Sequence, residues 1–140
     1  MTERIILDTD SAILRYHSDG IIHHEFKKRV VGKSFREILD EGVAQMIRTK
    51  ATKWLSDDRK HTVLDEDDEK WAHGEWFKKA VAAGWKYWAV INPEKAVGQM
   101  QTARHAKTFE LGGIKVAMFS TPEQGLEWLR HIDAQLKKTG

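Results

Sequence analysis

The sequence predicts an α/β fold: a mostly parallel, four- or five-stranded sheet that opens with an N-terminal antiparallel hairpin and carries four helices, in the order β-β-α-β-α-β-α-β-α. Three observations carry this prediction. Two β-rich runs flank the turn signal Ser18-Asp19-Gly20, which is the spacing of a hairpin. Three further short apolar runs follow it. Between them lie stretches of helical periodicity, and such alternation is characteristic of parallel strands joined by crossover helices.

The hairpin strands run from Ala12 to His17 and from Ile21 to Phe26. Ser34 and Glu37 then have capping-box spacing, and Phe35, Ile38, Leu39, Val43, Met46 and Ile47 recur at helical intervals, predicting a first helix over about 35–49. Lys53 to Ser56 is a short central strand, followed by an aperiodic loop as far as Leu64. Asp65 to Asp68 put negative charge on the first turn of a second helix, where free amides and the helix dipole favour it. That helix carries Trp71, Trp76, Phe77 and Ala80 on one wide apolar stripe and ends at Gly84. Lys86 to Ile91 is almost continuously bulky, as expected of a strand buried on both faces. A weaker helix covers Lys95 to Ala106, and Ile114 to Phe119 is the last strand. Thr121-Pro122-Glu123 starts the last helix with an N-cap, a proline and an acidic residue, and Leu126, Trp128, Leu129, Ile132 and Leu136 give it an apolar face.

The 140 residues fit a single domain, 1–140, with no repeat or linker inside it. Charged residues make up 31% and hydrophobic ones 41%, the balance of a globular protein. Cysteine is absent, which removes disulfides and thiol catalysis. Ile5-Ile6-Leu7 is too short for a signal-peptide core or a membrane span, so a cytoplasmic location is expected. A net charge of +2, with both signs spread along the chain, is too weak a field to imply nucleic acid.

Ser56-Asp57-Asp58-Arg59 gathers two carboxylates and a guanidinium at the end of the central strand, which is where open α/β sheets bind ligands. The other strand ends should line the same place, namely Asn92 and Ser120-Thr121. The plainer reading of this loop is an internal ion pair and a turn cap, with Arg59 as anchor. Trp85 and Trp88 flank a strand beside Lys86 and Tyr87, so one of them is expected at the surface as a partner-binding mark.

The residues Trp54-Leu55-Ser56-Asp57-Asp58-Arg59, Trp71, Glu75-Trp76-Phe77, Ala80 through Gly84 and Glu127-Trp128-Leu129 resemble those of small bacterial proteins grouped with the STAS, or anti-sigma-factor-antagonist-like, domains. These are related in fold to the lipid-binding CRAL-TRIO domains. The resemblance implies a non-catalytic regulatory module that binds a protein partner or a second copy of itself. It also implies, as an alternative, a carrier of a small apolar or amphiphilic ligand, with the helix from Trp71 to Val81 as a movable cover. STAS regulators carry a phosphorylatable serine where the helix after the central strand begins; here that helix opens with Asp65-Glu66-Asp67-Asp68 and contains no serine, leaving Ser56 as the nearest hydroxyl.

Enzyme readings are weaker. Asp8-Thr9-Asp10 after Ile5-Ile6-Leu7 resembles the aspartate pair of haloacid-dehalogenase-type phosphatases, but neither Ile91-Asn92 nor Phe119-Ser120 supplies the acidic residues such a magnesium site needs. A receiver domain would take Asp57 or Asp58 as phosphoacceptor, but the acidic pair after the first strand and the lysine after the last are not where such a domain has them. The seven histidines show no metal-ligand spacing, and His23 and His24 must point to opposite faces of their strand. No metal or other cofactor is therefore expected. The six tryptophans are expected mainly in the core, with an aromatic ligand pocket as the alternative.

Overall fold

The computed structural model describes residues 2–61 and 63–139, with side chains through residue 133. Six strands form one sheet in sequence order: β1 (Glu3–Asp8), β2 (Ala12–His17), β3 (Ile21–Phe26), β4 (Lys53–Asp57), β5 (Tyr87–Ile91) and β6 (Lys115–Phe119). β1 to β3 are antiparallel, and β3 to β6 are parallel. The helices are α1 (Lys33–Thr49), α2 (Glu66–Trp71), α3 (Phe77–Ala82), α4 (Ala96–Leu111) and α5 (Pro122–Thr139). A π-helical turn, Ala72–Trp76, joins α2 to α3, so the two form one continuous helix. The mixed sheet with four helices matches the α/β class. No helix of the described residues is long and apolar enough to cross a membrane.

The sixth strand is β1, which sequence patterning missed. Its register shifts between Ile5 and Leu7, so Ile6 and Leu7 both pack toward the core while Ile5 stays exposed. A bulge of this kind breaks the alternation by which strands are recognised. Asp8 ends that edge strand, half exposed and bonded to Lys27 at 2.8 Å, and Asp10 is exposed in the following turn. Neither joins further metal-ligating groups among the described residues, which leaves the phosphatase motif without its site.

Each parallel strand is added on the same side of the one before it. Right-handed crossovers then place α1, α2–α3 and α4 on one face of the sheet, and α5 returns across the other onto β4, β5 and β6. Two cores result. The larger joins Leu14, Ile22, Trp54 and Val90 to α1, α2–α3 and α4; the smaller joins Ile21, Leu55, Ala89 and Ile91 to Leu129 of α5. Gly125 lets α5 come this close, because a Cβ there would sit 2.8 Å from Leu55 and 3.0 Å from Ile91.

The start of α1 differs from the expected capping box. Gly32 is its N-cap, with no side-chain cap bond, and the Gly32 amide instead donates to Asp68 Oδ2 at 2.8 Å. Arg36 Nε donates to the other oxygen of the same carboxylate at 3.2 Å. Asp65, expected in the first turn of this helix, is instead its N-cap and accepts from the amides of Asp67 and Asp68. Of the acidic run, then, one member is buried as a tertiary fastener. α4 extends to Leu111, beyond the expected Ala106, and Ile47 is exposed rather than in the core. Leu136 lies outside the described side chains.

Trp54 packs directly on Gly42 of α1, where an added Cβ would fall 2.0 Å from the indole ring. The ring cannot retreat easily, since its Nε1 donates to His24 Nδ1 at 3.0 Å and Trp76 meets it edge-on at 5.5 Å. Gly42→Ala is expected to lower stability by about 1–3 kcal/mol, the usual cost of overpacking, measured as a fall in the urea midpoint; an unchanged midpoint would contradict this packing.

On the α5 side, buried His17 and His23 stack at 5.2 Å with His17 Nε2 and His23 Nδ1 2.9 Å apart. Burial, then the neighbouring His17, pushes His23 down to about 2. The folded state therefore refuses a proton that the unfolded chain accepts near its ordinary value of 6.5. Stability is full above that value and falls as pH drops below it, by about 2 kcal/mol at pH 5 for this one group. His23→Leu is expected to flatten the decline in urea midpoint between pH 7 and pH 5; parallel profiles for the two proteins would refute the assignment.

Candidate functional site

Strand alternation divides the loop that the sequence singles out. Trp54 and Ser56 face α1 to α4, whereas Leu55 and Asp57 face α5. Buried Asp57 is held by Arg59, whose Nε and Nη2 donate to its two oxygens at 2.9 and 2.7 Å. That hydrogen bond raises the Arg59 pKa above its ordinary value. The anchor proposed for a binding edge is thus committed to a carboxylate two residues away. Asp58 points the other way and accepts from His24 Nε2 at 2.9 Å.

The His24 tautomer follows from its partners. Trp54 Nε1–H can only donate, so His24 Nδ1 accepts and Nε2 carries the proton offered to Asp58. Beside this chain, Trp88 Nε1 donates to Ser56 Oγ at 2.7 Å. Every polar group here is fixed by a neighbour from another element, which makes the surface rigid.

Above it lies a cavity of about 80 Å³ between the sheet and the helical layer. Its floor is His24, Trp54, Ser56 and Trp88; α1 adds Phe35 and Leu39, and the π-helical turn adds Ala72, His73 and Trp76. α4 contributes Gln101, Thr102, His105 and Phe109, while Asp58, His61 and Leu64 come from the loop after β4. The π-helical turn widens the helix at the residues that enter the cavity, and such turns recur at functional sites. Gln101 fastens the loop to α4: its Oε1 accepts from the Leu64 amide at 2.6 Å and its Nε2 donates to the Leu64 carbonyl at 3.2 Å.

Two of the lining histidines have an unsatisfied nitrogen. His61 Nδ1 accepts from the Val30 amide at 3.1 Å, so the proton of the neutral ring sits on Nε2, which is buried without a partner among the described residues. His105 Nε2 is also buried without one, while its Nδ1 lies 2.9 Å from His73 Nε2. Burial lowers the pKa of His61, His73 and His105, the last to about 4, so all three rings are neutral at pH 7. Glu69 Oε1 approaches His105 Nδ1 to 4.0 Å, and the ligand atoms of Glu69, His73 and His105 lie within 4.8 Å of one another. These are the residues of the site that could hold a metal.

Of the residues the sequence nominated, Ser56, Asp58, Trp85 and Trp88 meet in this cavity. Asp57 and Arg59 do not, being on the opposite face. Asn92 ends β5 with its amide bonded to Phe119, and exposed Ser120 bonds to Gln124 at the start of α5; neither lines the cavity. Trp85 and Trp88 are buried at 4% and 7% exposure, which corrects the expectation that one of them marks the surface. Trp85 belongs to an aromatic stack that includes Trp76, Phe77 and Phe109. Sequence reasoning missed His24, His61, His73, His105, Glu69 and Gln101. Their separations along the chain carry no ligand spacing, and only the His73-to-Glu69 interval of one helical turn was visible as a local pair.

Comparison of this chain with models of known protein families, with curated proteins and with solved structures found no match in any of the three.

Proposed function

We propose that this protein binds a small amphiphilic molecule in the cavity between the sheet and α1 to α4, with an apolar body against the tryptophan and phenylalanine walls and an oxygen acceptor at the histidine end. The observation that carries this reading is the pair of buried, unpartnered histidine nitrogens on a cavity that is otherwise mostly aromatic. Leaving a buried donor unpaired costs about 1–3 kcal/mol, and a ligand oxygen removes that cost. A mostly apolar cavity with a few convergent polar groups is the usual form of a small-molecule site.

At about 80 Å³ the space is well below the few hundred cubic ångströms expected of a carrier, so the ligand is small. A short-chain carboxylate has the right size and an oxygen to offer. The helix from Trp71 to Val81 is a poor cover, because Trp76 Nε1 donates to the Leu39 carbonyl at 2.9 Å and fixes it on α1. α4, joined to the loop through Gln101 and exposing Val97 and Met100, is the better candidate for the moving wall.

Of the exposed large apolar residues, Val97, Met100 and Leu111 lie on α4, while Ile5 on β1, Val31 before α1, Ile47 on α1, Val81 on α3 and Met118 on β6 are spread over other elements.

Butyrate titrated into the protein is expected to give a saturable change in tryptophan fluorescence, with 1-butanol binding more weakly. His61→Leu should weaken butyrate by about tenfold or more, the worth of one hydrogen bond to a charged group. Absence of saturation, or equal binding by His61→Leu, would overturn the proposal. Gln101→Ala is expected to speed amide hydrogen exchange at Leu64 and to raise the butyrate association rate; unchanged rates for both would show that α4 is not the entry wall.

A further inference from the structure

We propose that Glu69, His73 and His105 form a binding site for one divalent first-row transition ion of the Zn²⁺ class in the wall of the cavity. Two neutral imidazoles and a carboxylate are a donor set that such ions prefer, and as three protein ligands they leave a coordination position open. Nothing in the sequence suggests the site, because His105 comes from α4 and the other two residues from the continuous α2–α3 helix.

The geometry needs little change to close on an ion. Zinc bonds to nitrogen and oxygen are about 2.0–2.2 Å, so two ligand atoms on one ion lie about 3–3.5 Å apart. His73 Nε2 and His105 Nδ1 are already 2.9 Å apart, and Glu69 Oε1 is 4.0 Å from His105 Nδ1. All three ligand atoms lie within 4.8 Å of one another, so rotation of the Glu69 side chain toward the two rings completes the set. Glu69 and His73 share a helix face one turn apart, with the π-helical turn beginning between them at Ala72.

Three observations separate this group from a chance cluster. Glu69 makes no ion pair with a lysine or arginine among the described residues, so its charge is uncompensated beside two imidazoles. Without an ion, the buried ring of His105 and the half-buried ring of His73 share a single histidine-to-histidine hydrogen bond. His73 also packs edge-on against Phe109 at 5.1 Å, which fixes the ring plane. His73 and His105 both line the cavity while Glu69 lies on its solvent side. The open coordination position therefore faces the cavity, where a carboxylate oxygen of the ligand would complete the sphere; this last step rests on the cavity reading.

The test uses the full chain stripped with EDTA and titrated with the metal alone, Zn²⁺ by calorimetry and Co²⁺ by visible absorbance. The expected result is one ion per chain and the intense visible band of four-coordinate Co²⁺. Glu69→Gln and His73→Asn should each weaken Zn²⁺ by more than the roughly 10–100-fold that loss of an outer partner costs, while His131→Gln, on the exposed face of α5, keeps the parent affinity. Glu69 is partly exposed, so Glu69→Gln carries the test even where His73→Asn fails to fold. No saturable binding, or binding that neither substitution weakens, would overturn the site. Zinc binding without butyrate binding removes the cavity reading alone, and butyrate binding without zinc removes the metal site alone.

Discussion

The indole of Trp54 is fixed on every side, and the helical layer is assembled around it. The outer end of its six-membered ring lies on Gly42 of α1, Trp76 stands nearly perpendicular to it, and its one donor goes to His24. Because His24 in turn donates to Asp58, packing of an apolar ring determines the proton position on an imidazole and the orientation of a carboxylate. Core and site here are one object. A shift of the helix α1 would reach Asp58 through two hydrogen bonds.

The single direction of strand addition explains why the site lies where it does. In a doubly wound sheet the winding reverses, and the reversal opens a crevice at the strand ends. Here β3 to β6 advance one way, so three helical segments crowd one face and only α5 covers the other. The space available for a ligand is between layers rather than at their edge. The backbone amides of Asn92 and Ser120 bond to the Phe119 carbonyl and to Gln124 at the start of α5, and Asp57 with Arg59 closes into its own ion pair.

Burial of so many imidazoles is unusual for residues that are mostly intermediate in exposure. His17, His23, His24, His61 and His105 are all buried, and they occupy both faces of the sheet. On the α5 side burial, with Arg15 nearby acting in the same sense, holds the stacked His17–His23 pair below the ordinary imidazole pKa. On the cavity side the rings present nitrogens inward. The same residue type thus does different work on the two faces, decided by whether space was left beside it.

Period and punctuation in the chain were enough to indicate the α/β class, the hairpin, the later strands and most helix bounds, since these depend on interactions within a few residues. β1 escaped because a bulge removed its alternation, and the start of α1 was misassigned because Gly32 precedes the helix without a side-chain cap and its amide bonds to Asp68, distant in sequence. Half of the strand-end tetrapeptide was legible as site material: Ser56 and Asp58 enter the cavity, while alternation sends Asp57 to the other face. The cavity itself was not legible. His24, His61, His73 and His105 come from a strand, a loop, a π-helical turn and a helix, and no local pattern relates them. Sequence determined which elements form and how they follow one another; only tertiary structure decided which side chains share an enclosed space, because that depends on layer packing across tens of residues rather than on periodicity within one element.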